Sequence, residues 1–292
     1  MGETVLITGA TGFLGSYLVH ELLQDNYRVI VLKRSTSDTW RIDDILERIL
    51  CYDIDKTGLE MAFTDQHIDV VIHTACCYGR DNEKASTVMD TNVMYGLKLF
   101  ELTDKFNTDT FFNTDTLLQK YLNTYSLSKK HLVDWLKQLS GKVRVINMKL
   151  EHIYGPQDDT KKFVPWIMEQ FIQNKDKIEL TEGKQERDFV FVTDVVSAYL
   201  TILKQRDELA HFTEFDVGTG EPVTVRQFVT ELAEQYKNRN PANNTVLEFG
   251  SIPYRENEMM GVTVDISLLK NIGWKPKVSF TDGISMLMPP PQ

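Results

Sequence analysis

Residues 4–15 read TVLITGATGFLG and bring together two different periodic patterns. The first five residues are apolar or β-branched, which is typical of a short buried strand. Gly9, Gly12 and Gly15 follow, and the apolar residues of FLGSYLVHELLQ then recur at helical spacing. This stretch therefore predicts a buried strand, a tight glycine turn and a helix in direct succession.

The first half of the chain continues this alternation of strands and helices. Further strands are predicted in YRVIVLKR, DVVIHTA, TFFNT and KVRVINMKL, with helical segments around residues 41–49, 84–105 and 119–139. Apolar strands that alternate with helices are typical of a parallel sheet covered by helices on both faces. The predicted fold class is therefore α/β, with a doubly wound parallel Rossmann sheet.

The pattern loosens after Leu150, which predicts a smaller α/β substrate-binding domain. Strands are predicted in RDFVFV and TEFDVG, and helices near residues 163–173, near residues 195–204 and in TVRQFVTELAEQY, where Thr224 is the expected cap. We expect residues 1–150, with return elements near 188–217, to form the first domain. Residues 151–187 and 218–292 are expected to form the second, and the C-terminal PPPQ is interpreted as a frayed tail.

The three glycines have distinct expected roles in binding a phosphate group. Gly9 permits the tight turn, Gly12 lets the backbone approach a pyrophosphate, and Gly15 lets the helix pack closely on the strand. The free N–H groups and the positive end of the helix then face the phosphates. A glycine turn without a ligand is the alternative, but its place between the first strand and first helix favours a dinucleotide site.

The end of the second strand indicates which dinucleotide binds. NAD sites usually place Asp or Glu there, where the carboxylate binds the ribose hydroxyls. Here Lys33, Arg34 and Ser35 occupy that place, and Arg34 is suited to a charge-assisted bond with a 2′-phosphate. This composition favours NADP(H) over NAD, and a solvated basic strand end is the alternative. Asp53 and Ile54, in YDID, are expected to frame the adenine.

Tyr125 and Lys129 lie four residues apart in YSLSKKHLVDW. On a helix these positions share a face, so a phenol and an ammonium group can converge on one pocket. The ammonium group is expected to lower the pKa of the phenol and prepare it for proton transfer. Thr114, at the carboxyl end of the TFFNT strand, supplies a second hydroxyl where open α/β sheets bind ligands. An exposed helical pair is the alternative.

These residues resemble the extended short-chain dehydrogenase/reductase family, also called the NAD-dependent epimerase/dehydratase family. The resemblance extends over nearly the whole chain, through TGATGFLG, YDID, HTA, TNVMYG, YSLSK, YGP, RDFVFVTDV and NIGWKPKVSF. It implies a catalytic Tyr125, an assisting Thr114 and a Lys129 that also binds the nicotinamide ribose. It further implies that the second half binds a nucleotide-diphosphate sugar. Cofactor contacts are implied for the matched motif residues Thr11, Phe13, Leu14, Thr74 and Ala75.

The strand end that carries Thr114 also bears on the type of reaction. Dehydratases of the family have a Thr-Asp-Glu run there, whereas this chain has Thr114, Asp115 and Thr116. Elimination of water needs an acid and a base, so the missing glutamate argues against a 4,6-dehydratase. Asp115 either orients a sugar hydroxyl or is a local turn residue.

The motifs FFNTDT, LNTYSLSKKHLVDWLK and HTACCYGR resemble small CDP-sugar 4-ketoreductases, the group of the CDP-abequose and CDP-paratose synthases. This resemblance implies NADPH-dependent reduction of the C4 keto group of a 4-keto-3,6-dideoxyhexose, in the biosynthesis of lipopolysaccharide O-antigen. A nucleotide-sugar 4-epimerase is an alternative within the family. A non-catalytic NADP-binding regulator is the alternative from another class, although such a protein would be expected to lack Tyr125, Lys129 or Thr114.

Several residues of the second half are candidates for binding the sugar nucleotide. Arg187 and Arg255 are expected to meet its phosphates, with structural ion pairs as the alternative. His152 stands near the place where family members often have asparagine, and is either a ligand or a packed histidine. Phe163 is interpreted as a core residue of a helix that lines the sugar pocket.

Composition narrows the partners and the compartment. The net charge of −10 disfavours nucleic acid and anionic lipid surfaces, and we expect a cytoplasmic protein without membrane association. The adjacent Cys76 and Cys77 lack zinc-like spacing and are interpreted as small buried residues, so no metal is expected. Family resemblance implies a homodimer that forms through the helices near residues 86–105 and 119–139.

Overall fold

The computed structural model describes residues 2–289. These residues form two compact units, which divide within a helix and near a strand end. Unit 1 comprises residues up to Leu150 and Val196–Asp216, and unit 2 comprises Glu151–Val195 and the residues from Val217 onward. The segment that returns to unit 1 is thus shorter than the predicted 188–217, because residues 188–195 belong to unit 2. Most of the PPPQ tail lies outside the described residues.

The strands and helices of both units follow in chain order. The strands are β1 (Thr4–Thr8), β2 (Arg28–Lys33), β3 (Leu50–Asp53), β4 (Val70–His73), β5 (Thr110–Thr116), β6 (Arg144–Leu150), β7 (His152–Tyr154), β8 (Lys177–Leu180), β9 (Glu186–Arg187), β10 (Phe189–Phe191), β11 (Phe212–Val217), β12 (Val223–Thr224) and β13 (Val246–Phe249). The α-helices are α1 (Phe13–Gln24), α2 (Ile54–Thr57), α3 (Met61–Asp65), α4 (Ala85–Met89), α5 (Tyr95–Lys105), α6 (Thr124–Leu139), α7 (Phe163–Ile172), α8 (Val192–Gln205), α9 (Val225–Arg239), α10 (Ser267–Asn271) and α11 (Phe280–Leu287).

The sheet of unit 1 has the strand order β11-β6-β5-β4-β1-β2-β3 among the described residues. The pairs from β6 to β3 are all parallel, which confirms the predicted fold class. Every residue of β1 is buried, as expected for a strand with helices on both faces. One layer of the core brings together Leu6 of β1, Phe111 of β5 and Leu132 of α6.

The helix that carries Tyr125 and Lys129 begins later than the predicted 119–139. Asn123 caps α6 by accepting a hydrogen bond from the Ser126 backbone N–H at 2.8 Å, while Ser126 Oγ accepts from the Asn123 N–H. This reciprocal capping box fixes the first turn of α6. Tyr125 therefore lies in a turn whose position is set by local hydrogen bonds.

Unit 2 has no large sheet among its described residues. Its strands pair as β10 with β7, β12 with β9 and β13 with β8. Aromatic packing forms part of its core, because Phe189 and Phe228 stack with ring centroids 3.9 Å apart and Tyr154 meets both rings edge-on. Thr224 caps α9 with a capping box to Gln227, as predicted.

Three sequence interpretations need correction or addition. Strand β3, at the sheet edge, was not predicted because its residues, LCYD, lack a buried apolar run: none of them is fully buried. Cys76 and Cys77 are half-buried rather than buried. Phe163 is 37% exposed and stacks on Trp166 instead of joining the core.

None of the helices within residues 2–289 has both the length and the apolar character needed to cross a membrane.

Candidate active site

The glycine turn between β1 and α1 has the geometry that a phosphate site requires. Gly9 has a φ of 70°, and an added Cβ there would lie 2.7 Å from the backbone nitrogen of Ala75. A Cβ at Gly15 would lie 2.1 Å from the Gly9 carbonyl oxygen. Gly12 precedes α1 in an extended conformation, and no side chain in the described structure caps this helix end. The N-terminal end of α1, with its positive helix dipole, therefore fits a pyrophosphate.

The loop after β4 closes one side of this turn. Thr74 Oγ1 donates to the Thr8 carbonyl at 2.7 Å, and the Ala75 N–H donates to Thr8 Oγ1 at 3.4 Å. The sequence-predicted Thr74 and Ala75 thus contact the same turn as Gly9. Thr8 Oγ1 also bonds the buried His73 Nδ1 at 2.8 Å. Burial, with a smaller contribution from Lys129, lowers the pKa of His73 from 6.5 to about 3, so the imidazole is neutral.

The end of β2 is less basic than its own sequence indicates. The Ser35 N–H donates to Asp55 at 2.8 Å, and Ser35 Oγ donates to Asp53 at 2.7 Å. The hydrogen bond from Ser35 lowers the pKa of Asp53, with a further contribution from Lys56. Two carboxylates therefore reach the polar groups of Ser35 from the β3–α2 segment. The sequence pattern missed this because β3 itself was not predicted.

A second arginine lies near the glycine turn. Arg41 Nη1 donates to the Thr11 carbonyl at 3.3 Å, and its guanidinium stacks on Trp40 at 4.3 Å. Arg41 therefore brings a positive charge to the glycine turn. Arg41 lies outside the motif that predicted the cofactor site, so spacing alone gave no signal for it.

Thr114 lies near the carboxyl end of β5 and is half-buried. Thr114 Oγ1 is 2.8 Å from the Tyr199 hydroxyl of α8. The next residue, Asp115, is buried and its Oδ2 accepts from Lys130 Nζ at 2.7 Å and from Asn147 Nδ2 at 3.2 Å. Asp115 is therefore part of a buried ion pair rather than a simple turn residue. Its Oδ1 is buried with no hydrogen-bond partner within the described part of the chain.

Tyr125 and Lys129 share unit 1 with Thr114, and the charge of Asp115 acts on both of them. Burial raises the pKa of the Tyr125 phenol well above its ordinary value, and Cys76, Tyr78 and Asp115 raise it further while Arg80 opposes them. Burial also lowers the pKa of the Lys129 ammonium, which is almost fully buried. The expectation that Lys129 sets a low pKa for Tyr125 is thus wrong for this structure, because desolvation of the phenol is the larger effect.

The β4–α4 loop is held against α6 beside Tyr125. A π-helical segment, Asp90–Met94, carries the buried Asn92, whose side chain bonds the backbone of Cys77 and donates to Ser128 Oγ at 2.9 Å. Tyr78 in this loop packs on Tyr125 with ring centroids 5.0 Å apart. Short π-helical segments often occur at functional sites. Here the segment holds the β4–α4 loop, with Tyr78, beside the phenol of Tyr125.

In unit 2, the candidate residues for the sugar nucleotide have different environments. Arg187 pairs with Glu258 and donates to the Met259 carbonyl at 2.7 Å. Arg255 is exposed. His152 is half-buried, and its Nδ1 lies 2.9 Å from the buried carboxylate of Glu151. Phe163 presents part of its ring at the surface.

This arrangement combines a glycine-turn cradle for a dinucleotide with a phenol, an ammonium group and a hydroxyl near the carboxyl ends of parallel strands. Such a fold and site are those of a nucleotide-dependent oxidoreductase. Residues 5–218 match the NAD dependent epimerase/dehydratase family, and the chain belongs to that family.

Curated relatives extend this similarity over the full chain. A CDP-abequose synthase of Salmonella typhimurium is 33% identical over 98% of this chain and 97% of the relative. A CDP-abequose synthase of Salmonella muenchen is 30% identical over 99% of this chain and 98% of the relative. A putative UDP-glucose 4-epimerase of Methanocaldococcus jannaschii is 25% identical over 97% of each chain.

The fold itself recurs in solved structures. A UDP-glucose 4-epimerase from Thermotoga maritima, solved with UDP-glucose, superposes with a TM-score of 0.82 at 22% identity over 97% of this chain and 96% of that chain. The Thermus thermophilus UDP-glucose 4-epimerase in complex with NAD has a TM-score of 0.77, also at 22% identity, over 97% of each chain. At this level of identity the match establishes the fold.

Proposed function

We propose that the protein is a sugar-nucleotide 4-ketoreductase. It reduces the C4 keto group of a CDP-linked 4-keto-3,6-dideoxyhexose with NADPH, as a synthase of the CDP-abequose or CDP-paratose type. The observation that carries this proposal is the identity of 33% to a CDP-abequose synthase, which extends over nearly the whole of both chains. Residues suited to the chemistry, Thr114, Tyr125 and Lys129, are all present in unit 1.

The residues of the chain divide the reaction between them. When bound, the reduced nicotinamide supplies the hydride. Tyr125 donates a proton to the oxygen that develops at C4, and its raised pKa keeps the phenol protonated at neutral pH. Thr114 donates a hydrogen bond to the same oxygen. Lys129 would bind the nicotinamide ribose, and the turn at Gly9, with its neighbours Gly12 and Gly15, would hold the pyrophosphate.

Reduction is favoured over dehydration by the residues around Thr114. Thr116 stands where a dehydratase would have a glutamate. Asp115, the remaining carboxylate, is held by hydrogen bonds from Lys130 and Asn147 to its Oδ2. The site thus has one proton donor at the keto oxygen and lacks the acid–base pair that elimination requires.

NADP(H) is the proposed cofactor, although the fold is shared with proteins solved with NAD. Arg34 would bind the 2′-phosphate, and Arg41 and Lys33 add positive charge nearby. In unit 2, Arg187 and Arg255 would bind the diphosphate of the sugar nucleotide. The 2′-phosphate would also bring negative charge near the carboxylates of Asp53 and Asp55, which contact Ser35. The experiment below therefore compares NADPH with NADH.

The proposal includes a cytoplasmic homodimer. Exposed apolar side chains on the helical layer around α5 and α6 support an interface there, because solvent-exposed tryptophan and methionine on one layer are typical of contact surfaces. They are Met89 (37% exposed), Met94 (44%), Trp135 (53%) and Leu139 (44%).

The test combines the purified protein with freshly prepared CDP-4-keto-3,6-dideoxyhexose and either NADPH or NADH, with absorbance measured at the nicotinamide band. Loss of NADPH equal to the sugar reduced, with slower loss of NADH, supports the proposal. Interconversion of CDP-sugars without net loss of reduced cofactor would instead identify an epimerase. Binding of NADPH without turnover of any sugar would identify a regulator.

A further inference from the structure

Tyr199 is a buried tyrosine whose hydroxyl contacts a proposed active-site residue. Its side chain lies on α8 with no exposed surface, and its hydroxyl is 2.8 Å from Thr114 Oγ1. The ring stacks on Phe112, two residues before Thr114 on β5, with centroids 5.9 Å apart and an interplanar angle of 30°. The stacked ring fixes where the hydroxyl lies, and the hydroxyl lies at Thr114.

The direction of this hydrogen bond decides what Thr114 can do. A threonine hydroxyl has one proton and two acceptor positions. A phenol is a stronger acid than an aliphatic alcohol and is therefore the better donor of the two. Burial raises the pKa of Tyr199 more than its hydrogen bond with Thr114 lowers it, and the charge of Asp115 raises it further, so its proton stays in place. With Tyr199 as the donor, the single proton of Thr114 is left for another acceptor.

We propose that Tyr199 is a positioning residue that donates its hydrogen bond to Thr114 Oγ1 and so directs the Thr114 proton toward the keto oxygen of the sugar. This inference rests on the proposed reductase function. Without Tyr199 the hydroxyl of Thr114 would rotate freely, and its proton could bond to a nearby backbone carbonyl. A donated hydrogen bond also polarises the acceptor hydroxyl and makes it a better donor in turn.

A purely structural role would not need the hydroxyl. Phenylalanine would fill the same space against Phe112 and would leave no polar group to satisfy in the interior. The buried phenol costs desolvation energy that its bond to Thr114 only offsets. The hydroxyl is therefore best explained by its effect on Thr114.

The experiment is a double-mutant cycle on kcat with NADPH and CDP-4-keto-3,6-dideoxyhexose. It compares the wild type, Tyr199→Phe, Thr114→Val and the double variant. Tyr199→Phe is expected to lower kcat roughly threefold to tenfold, the scale of one hydrogen bond, with both KM values unchanged. Thr114→Val is expected to lower kcat about a hundredfold. The double variant should be no slower than Thr114→Val alone, because Tyr199 acts only through Thr114.

Tyr236→Phe is the matched control, since Tyr236 is a buried tyrosine that packs on Phe171 with centroids 5.4 Å apart in unit 2. Its kcat should equal that of the wild type. If Tyr199→Phe does not fold, 3-fluorotyrosine at position 199 replaces it. That side chain is almost the same size but is a stronger donor, so kcat should equal or exceed the wild-type value.

Either of two results with the standard variants would overturn the inference alone: an unchanged or higher kcat for Tyr199→Phe, or losses that multiply in the double variant. A reduced kcat with 3-fluorotyrosine would do the same. A folded wild type that binds NADPH but reduces no CDP-4-keto sugar would overturn the proposed function, and the inference with it.

Discussion

Unit 1 and unit 2 hold their candidate residues in different ways. In unit 1, Thr114 is part of a sheet strand and Tyr125 lies in the capped first turn of α6. In unit 2, Arg187 is on a two-residue strand and Arg255 is in a loop. Continuous ladders and capped helices restrict side chains more than short strands and loops do. Under the proposed function, unit 1 would therefore carry out the chemistry, which needs fixed distances, and unit 2 would recognise the sugar nucleotide.

Buried carboxylates, rather than a sheet, close the loops of unit 2. Asp188 accepts from the N–H groups of Thr219 and Gly220, each at 2.7 Å. Asp194 accepts from the N–H groups of Lys277 and Val278 at 3.0 and 2.9 Å. Such contacts are isolated hydrogen bonds to single carboxylates, in contrast to the continuous register of β1, β2 and β4 in unit 1. If unit 1 carries out the chemistry and unit 2 binds the sugar nucleotide, substitutions in unit 1 should alter kcat or cofactor use. Substitutions in unit 2 should alter KM for the sugar nucleotide.

The largest effect is expected for Tyr125→Phe, which removes the proposed proton donor. We expect kcat to fall about a hundredfold or more, the usual scale for loss of a general acid, while KM for the sugar nucleotide changes little. Steady-state kinetics measure both. Tyr121→Phe is the matched control, because Tyr121 is 83% exposed shortly before α6 and should behave as the wild type. Near-normal turnover of Tyr125→Phe would show that Tyr125 is not the proton donor and would contradict the assignment of the chemistry to unit 1.

A smaller effect is expected for Arg34→Gln, which removes the proposed contact with the 2′-phosphate. Loss of one charge-assisted contact should raise KM for NADPH about tenfold to a hundredfold, with KM for NADH unchanged. Arg28→Gln is the control, since Arg28 begins the same strand and bonds Gln66 at its far end. Equal effects on NADPH and NADH would show that the arginine does not read the phosphate.

The features of unit 1 differ in how far the sequence predicts them. Strands β1 and β4, helix α1 and the glycine turn follow from local periodicity and from the special geometry of Gly9, so their positions are readable residue by residue. The Asp53 and Asp55 contacts to Ser35 are not readable in this way, because they depend on the pairing of β3 with β2. The same is true of Tyr199 and Thr114, which are 85 residues apart.

The electrostatics of the site were predicted least well. A four-residue spacing correctly indicates that Tyr125 and Lys129 share one face of a helix, but it carries no information about burial. The raised pKa of Tyr125 comes mainly from desolvation, which depends on how the β4–α4 loop packs against α6. In unit 2, the ion pair of Arg187 with Glu258 similarly required the three-dimensional structure.

Substitutions of Arg187 and Arg255 should both weaken binding of the sugar nucleotide in unit 2 but differ in their effect on Tm. Arg255→Ala is expected to raise KM for the CDP-sugar about tenfold without changing Tm, because the side chain is exposed. Arg187→Ala should raise KM similarly and also lower Tm by about 2 to 4 °C, since it releases Glu258 and the Met259 carbonyl. Arg239→Ala, on α9, is the control. A fall in kcat with KM unchanged would contradict a binding role for unit 2.

His73 in unit 1 and Asp194 in unit 2 should change the free energy of unfolding in opposite directions as the pH falls. His73 in unit 1 has a folded pKa of about 3, against 6.5 when exposed. Between those pH values the unfolded chain binds a proton that the folded chain does not, so stability falls by up to about 1.4 kcal/mol per pH unit as pH decreases. Asp194 in unit 2 has a pKa raised by burial. Its folded form takes up a proton more readily than the unfolded form, so acidification through its folded pKa favours folding.

Urea denaturation from pH 7 to pH 4 separates these two contributions. His73→Gln should flatten the loss of stability on acidification, because glutamine cannot titrate. Asp194→Asn should make that loss steeper, since it removes a carboxylate that benefits from protonation, while an amide oxygen can still accept from Lys277 and Val278. If His73→Gln left the slope unchanged, the imidazole would take up its proton equally in the folded and unfolded states. The description of His73 as a neutral, buried histidine beside Thr8 would then be wrong.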